Sequence, residues 1–209
     1  MSTELSFILG LIILIVSTIT GAILIISPGS IRLQRPDCGW SGWLFNILNL
    51  AFFIILIPLC GIIMILDIQP VIYICLPAAP TVPFILLRSF GLVFFIAGSL
   101  LLLWSRISLR RSFRLAGVKP SQTDYLTLHG PYKLMRHPMY LSALLVLFGL
   151  TFTLLSVLLA VMFIVMLLLI LKLIPEEEIQ LDQAYPIAYA EYCKRVPGSI
   201  WPQKHRSSE

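Results

Sequence analysis

The chain has 209 residues, 58% of them hydrophobic and 12% charged, with a formal net charge of +5 and a mean hydropathy of +0.95. A water-soluble domain of this size cannot hide so much apolar surface, because its area relative to its volume demands a largely polar exterior. Composition therefore excludes a soluble globular protein and makes lipid the main solvent, and the basic residues are read by position rather than as a sum.

A helix crossing the hydrocarbon core takes about 20 apolar residues, and residues 5–27, 43–66 and 84–104 each meet that requirement. The first of these follows Glu4, has no basic lead and is too long for a signal-peptide core, so it reads as a retained span. Residues 139–174 are different. They are apolar almost throughout, interrupted only by Lys172 and by a middle containing Gly149, Thr151, Thr153 and Ser156. At ~1.5 Å per residue this is too long for one crossing, and it predicts a helical hairpin with a tight turn near 151–156.

The charges agree with that count. Arg32 and Arg35 follow the first span, and Arg106, Arg110, Arg111, Arg114, Lys119, Lys133 and Arg136 precede the hairpin. Lys194, Arg195, Lys204 and Arg206 lie in the tail, whereas residues 67–83 carry Asp67 and no basic residue. The positive-inside rule puts the N-terminus and 67–83 outside and the basic segments and C-terminus in the cytoplasm, which requires 139–174 to cross twice. The expected fold is an all-α integral membrane protein with about five transmembrane helices, including the C-terminal hairpin. Residues 1–83 supply the N-terminal spans and 84–209 the core.

Past residue 174, Leu181, Ala184, Tyr185, Ala188, Tyr189, Tyr192 and Val196 recur at helical spacing. They predict amphipathic tail helices, two short ones or one kinked, lying against the membrane or the protein's own cytoplasmic face, with Pro186 suited to a first turn. Beyond Trp201 the sequence reads as frayed. Cys38, Cys60, Cys75 and Cys193 include no CxxC pair, and His129, His137 and His205 lack ligand spacing, so neither a disulfide framework nor a metal site is expected. No GxG occurs, so no soluble-type dinucleotide loop is expected either.

Two constellations carry chemistry. In Gly130-Pro131-Tyr132-Lys133-Leu134-Met135-Arg136-His137-Pro138-Met139-Tyr140, Pro138 disfavours helix at His137 and opens the following span. His137 then stands at a helix N-terminus, where free N–H groups and the helix dipole attract anions. Arg136 adds a forked cation suited to a carboxylate, and Tyr140 shares the helical face of His137. The second constellation is Glu176-Glu177-Glu178, just past the hairpin. Acids at a membrane exit ordinarily face water, as basic residues there ordinarily anchor. The hairpin, however, returns these glutamates to the surface of His137, where they suit a ligand's ammonium or ribose hydroxyls, or pair with Arg136. Together the two suit a zwitterion.

The stretch GPYKLMRHPMY, the long apolar hairpin, Glu177-Glu178 with Leu181, then Tyr189, Tyr192 and Val196-Pro197 resembles the isoprenylcysteine carboxyl methyltransferase family and its phospholipid-methyltransferase-like relatives. The resemblance covers about residues 84–202. It implies S-adenosylmethionine as cofactor, with Leu126, Tyr132, Arg136, His137, Tyr140 and Glu177 at positions that line its site, and Arg136, His137 and Glu178 as catalytic residues. It further implies a lipophilic acceptor entering from the bilayer, such as an isoprenylcysteine carboxylate or a similar lipid, with no role for nucleic acid. The sequence departs from the family at Tyr185-Pro186 (usually Phe-Gly), Asp124 (often His) and Arg110 (commonly Gly). Leu173 stands where the eukaryotic prenylcysteine enzymes place an Arg for the substrate carboxylate, leaving the neighbouring Lys172 as the candidate substrate contact. Two rival readings are an NADPH-dependent membrane sterol or steroid reductase, which shares part of the pattern, and a non-enzymatic membrane scaffold.

Overall fold

A computed structural model of the chain describes residues 3–26, 39–66, 82–109 and 126–200. Arg32, Arg35, Asp67, Arg110, Arg111, Arg114, Lys119, Asp124 and the tail beyond 200 lie outside the described residues. Those described form helices and no strands. In chain order they are α1 (Thr3–Ile26), α2 (Gly39–Ala51), a π-helical turn (Phe52–Leu56), α3 (Ile57–Ile65), α4 (Val82–Leu109), α5 (Pro138–Leu154), α6 (Val157–Ala184) and α7 (Pro186–Arg195). The all-α membrane architecture is as the sequence requires. Four helical stretches are long and apolar enough to cross a bilayer, Glu4–Leu24, Gly42–Ile65, Ile85–Leu109 and Val157–Ala184, so this is a multi-pass membrane protein.

The second span is two helices joined by the π turn, in which the Ile57 N–H bonds back five residues to the Phe52 carbonyl. Pro58 is the reason. Lacking an N–H, it cannot continue the i→i−4 ladder, and the wider turn absorbs the missing bond.

The hairpin is present, with its turn at Leu155 and Ser156. Thr151 and Thr153 do not break the helix. Their hydroxyls donate to the carbonyls of Leu147 and Gly149, both at 2.8 Å, and α5 continues through them. The reversal is made by Leu155 in the left-handed region (φ 54°) and by Ser156, whose Oγ accepts from the Leu159 N–H at 3.4 Å as an N-cap. With 17 residues, α5 is about 25 Å long at ~1.5 Å per residue. It is shorter than α1, α4 and α6.

Glycine brings the helices together. A Cβ on Gly98 would lie 2.7 Å from the Val146 nitrogen, and one on Gly91 2.6 Å from the Gly149 carbonyl oxygen. The backbones of α4 and α5 therefore touch along an antiparallel seam. Gly10 of α1 and Gly61 of α3 form a second seam of the same kind, with 2.7 Å from a Gly10 Cβ to the Gly61 oxygen. Close backbone approach is how helices gain packing energy where lipid removes the hydrophobic drive. One apolar core, including Ile13, Phe45, Phe95, Leu147 and Ile170, links all the long helices, while Leu11, Ile54, Val93 and Ile164 are exposed on the outside, as lipid-facing residues are.

α6 does not stop at the edge of its apolar stretch. It carries Pro175 inside it and runs on through Glu176-Glu177-Glu178 to Ala184. The tail therefore contributes one separate helix, α7, with Pro186 at its first turn as expected.

Candidate active site

The site gathers where α5 begins, where α6 passes the glutamates and where α7 ends. The Gly130–Lys133 turn is 3-10 helical and sits against the last turns of α4. Gly130 has φ +63°, and a Cβ there would collide with Ser108 Oγ and come within 3.3 Å of Trp104 Nε1. Glycine is needed for both reasons. Gly130→Ala is expected to cost roughly 1–3 kcal/mol in strain and displacement, visible as earlier thermal unfolding in detergent, and an unchanged melting temperature would refute it.

His137 caps α5, as expected, with Pro138 in the first turn. Its ring is buried and stacked on Tyr140, centroids 5.6 Å apart and planes at 20°. Tyr140 in turn receives the ring of Phe45 from α2, edge-on at 5.4 Å. His137 lies between two carboxylates, with Nε2 3.3 Å from Glu178 Oε1 and Nδ1 3.6 Å from Glu177 Oε2.

Arg136 and Glu178 are joined to each other. Nε and Nη2 of Arg136 donate to Glu178 Oε1 at 3.0 and 2.9 Å, and Nη1 donates to the carbonyls of Val196 and Pro197 at 2.9 and 3.0 Å. Of the five N–H groups a guanidinium offers, four are thus occupied inside the protein. The backbone continues the clasp: Arg136 N–H donates to the Gly198 carbonyl at 3.0 Å and His137 N–H to that of Ser199 at 2.9 Å. Ser199 Oγ donates to the same Glu178 oxygen at 3.3 Å. Burial works against the charge on Arg136, but the hydrogen bonds and charge of Glu178 more than offset it and hold its pKa above the ordinary value. Of the two roles open to Arg136 in the sequence, a ligand's fork or a partner for a glutamate, the geometry displays the pair with Glu178.

Tyr132 is buried, and the Tyr192 hydroxyl donates to its carbonyl at 2.8 Å, tying α7 to the 3-10 turn. Burial pushes both phenols above their ordinary pKa, so both are neutral donors. Leu126 packs on Tyr189, Tyr192 and Val196. All the expected cofactor positions thus lie in one neighbourhood. Lys172 does not join the ion cluster: it is exposed, with its ammonium 4.7 Å from the centroid of the Trp40 ring. Leu173 beside it is fully buried.

Sequence reading missed several participants. Ser199 and Phe45 gave no local signal. Arg106 reads as one of seven basic residues before the hairpin, yet it is 0% exposed in the last turns of α4. It continues a buried stripe through Phe95, Ser99 and Leu102, a spacing that helical periodicity reveals once α4 is extended to Leu109.

Residues 86–187 match the model of the phospholipid methyltransferase family. That stretch, just under half of the chain, is similar to the family. It runs from early α4 into the first turn of α7 and contains the 3-10 turn, the hairpin, Arg136, His137, Glu177 and Glu178. No curated protein matches the chain. A multi-pass membrane protein with a stretch similar to the phospholipid methyltransferase family is thus what fold and comparison give together.

Proposed function

We propose that the chain is an S-adenosylmethionine-dependent methyltransferase acting on a lipophilic acceptor, of which an isoprenylcysteine carboxylate is one candidate. The observation that carries this reading is the meeting of Glu177, His137 and the tyrosines of α7 at the head of a membrane-embedded hairpin. The donor set fits. A partly buried carboxylate at Glu177 suits the donor's ammonium, and the apolar surface of Leu126, Tyr189, Tyr192 and Val196 suits its base. When bound, S-adenosylmethionine supplies an electrophilic methyl group on a sulfonium.

The protein's own residues contribute orientation and exclusion of water. Arg136, with both its carbonyl acceptors, holds the tail across the site, and a rigid site aligns a nucleophile at about 3 Å for in-line attack. An ionised carboxylate or thiol acceptor needs no base, whereas an amine acceptor loses a proton. His137 is the stronger candidate to take it, because the hydrogen bonds of His137 and Arg136 hold the Glu178 pKa down to about 2 and make it a weak base. The acceptor reaches the site from the bilayer between helices, with Lys172 as a candidate contact for its anionic group. The end of the bundle bearing Lys133, Arg136, Lys194 and Arg195 faces the cytoplasm, and the N-terminus lies outside.

Glu177→Gln is expected to weaken binding of S-adenosylhomocysteine by roughly tenfold or more, since a charge-assisted hydrogen bond becomes a neutral one, while melting stays close to that of the parent. Calorimetry on detergent-purified protein measures it. Binding of NADPH with no binding of S-adenosylhomocysteine would overturn the reading in favour of a reductase.

A further inference from the structure

A polar side chain inside the membrane has no water to turn to, so its own helix, a neighbour or a ligand must satisfy it. The hydroxyls of Ser17, Ser99, Ser105, Ser142, Thr151 and Thr153 all donate to carbonyls of their own helices. Asn49 is different. It lies within the second span, Gly42–Ile65, and its Oδ1 is buried with no hydrogen-bond partner among the described residues. A buried amide oxygen left unmet is costly, and native proteins rarely keep one without use. Ser6 and Thr20 of α1 are left over in the same way, but Asn49 stands on a helix face that leads to the site.

Phe45, Asn49 and Phe52 follow one another at i, i+4 and i+7, a single face of α2 carried into the π turn. Phe45 and Phe52 are each 2% exposed, so this face is turned into the bundle. Phe45 meets Tyr140 edge-on, and Tyr140 stacks on His137. The start of α2 lies beside the exit of α6, where Trp40 meets Lys172. Asn49 is therefore on the site's side of α2 and one turn farther into the membrane than Phe45, a step of about 6 Å at 1.5 Å per residue. It falls outside residues 86–187, the stretch similar to the family, and is a feature of this chain's own N-terminal half.

A lipophilic acceptor with its reactive group at His137 extends its body into the bundle past Phe45 and Asn49. We propose that Asn49 is a specificity-determining contact for the acceptor, accepting a hydrogen bond from a hydroxyl or amide N–H between the methylated group and the apolar tail. The buried atom is an oxygen, so the group it receives is a donor. A lipid joined to its head by ester or ether bonds alone has no donor to give and leaves the oxygen unmet, which is how a polar contact rejects the wrong substrate. This rests on the reading of the chain as a methyltransferase for a lipophilic acceptor and narrows the class of that acceptor.

Asn49→Leu removes the amide with little change of size. The full chain and the variant, purified in detergent, are given labelled S-adenosylmethionine and a total membrane lipid extract. The labelled product of the parent is isolated and its structure determined, and KM and kcat for that lipid are then measured for both proteins. Thermal unfolding and calorimetric titration with S-adenosylhomocysteine are recorded alongside. The product is expected to carry a hydroxyl or amide N–H next to its methylated group. The variant is expected to show a KM about tenfold higher, a kcat far less affected and an unchanged affinity for S-adenosylhomocysteine. It is also expected to melt no lower than the parent, because an orphaned polar atom has been removed. A labelled lipid with no such donor overturns the proposal, and so does an unchanged KM. A fall in melting temperature marks a structural role for Asn49 and overturns it too. A parent that transfers label to no lipid overturns the methyltransferase reading, and this inference with it.

Discussion

Replacing Glu178 by alanine is expected to release the segment 196–199 and to destabilise the folded protein by about 2–4 kcal/mol. One carboxylate oxygen, Oε1, accepts from Arg136 twice, from Ser199, and lies 3.3 Å from His137 Nε2. The side chains of Arg136 and Glu178 are only 13% and 27% exposed, so removing the anion strands a cation that water reaches poorly. Hydrogen exchange at 196–199 and unfolding in detergent measure the two effects. Glu178→Gln, which keeps an oxygen acceptor but no charge, is expected to lose roughly half as much. Arg136→Lys keeps charge but forfeits the fork and with it the carbonyls of Val196 and Pro197, so it is expected to loosen the tail nearly as much as Glu178→Ala. If the tail remains protected in both variants, the clasp does not hold it.

The second large effect belongs to the α4–α5 seam. A Cβ on Gly149 would strike the Phe95 nitrogen and lie 2.7 Å from the Gly91 carbonyl oxygen, and these are backbone atoms that cannot swing aside. Gly149→Ala is expected to cost about 1–3 kcal/mol, and Gly149→Leu is expected to prevent accumulation of folded protein. The loss reaches the site, because the same two helices hold Gly130 against Ser108 and present His137 at the head of α5. Melting of the alanine variant and expression of the leucine variant check this. A normal melting temperature for Gly149→Leu would mean that the helices are not in backbone contact there.

The sequence and the structure agree where the signal is local. Pro138 alone places His137 at a helix N-cap, and Pro186 alone starts α7. The length of 139–174 demands a reversal, although the residues that make it are Leu155 and Ser156 rather than the threonines before them. Threonine in an apolar segment looks like a break in the sequence, but its hydroxyl is satisfied by its own helix and leaves the helix intact. The extension of α6 through three glutamates was not legible for a related reason. Hydropathy reports where lipid ends, whereas a helix ends only where its backbone hydrogen bonds do.

The solvent, the helical class, the hairpin and the two chemical clusters are therefore legible in the residues alone, because hydropathy and proline geometry act within one turn or one span. How those clusters are used depends on the packing of distant segments. Arg136 meets Glu178 across 42 positions and the Val196 carbonyl across 60, Phe45 reaches Tyr140 from another span, and Lys172 turns to Trp40. Such contacts leave no periodic trace in the sequence, since they depend on which helix faces pack together and on which backbone carbonyls are left over to accept a guanidinium.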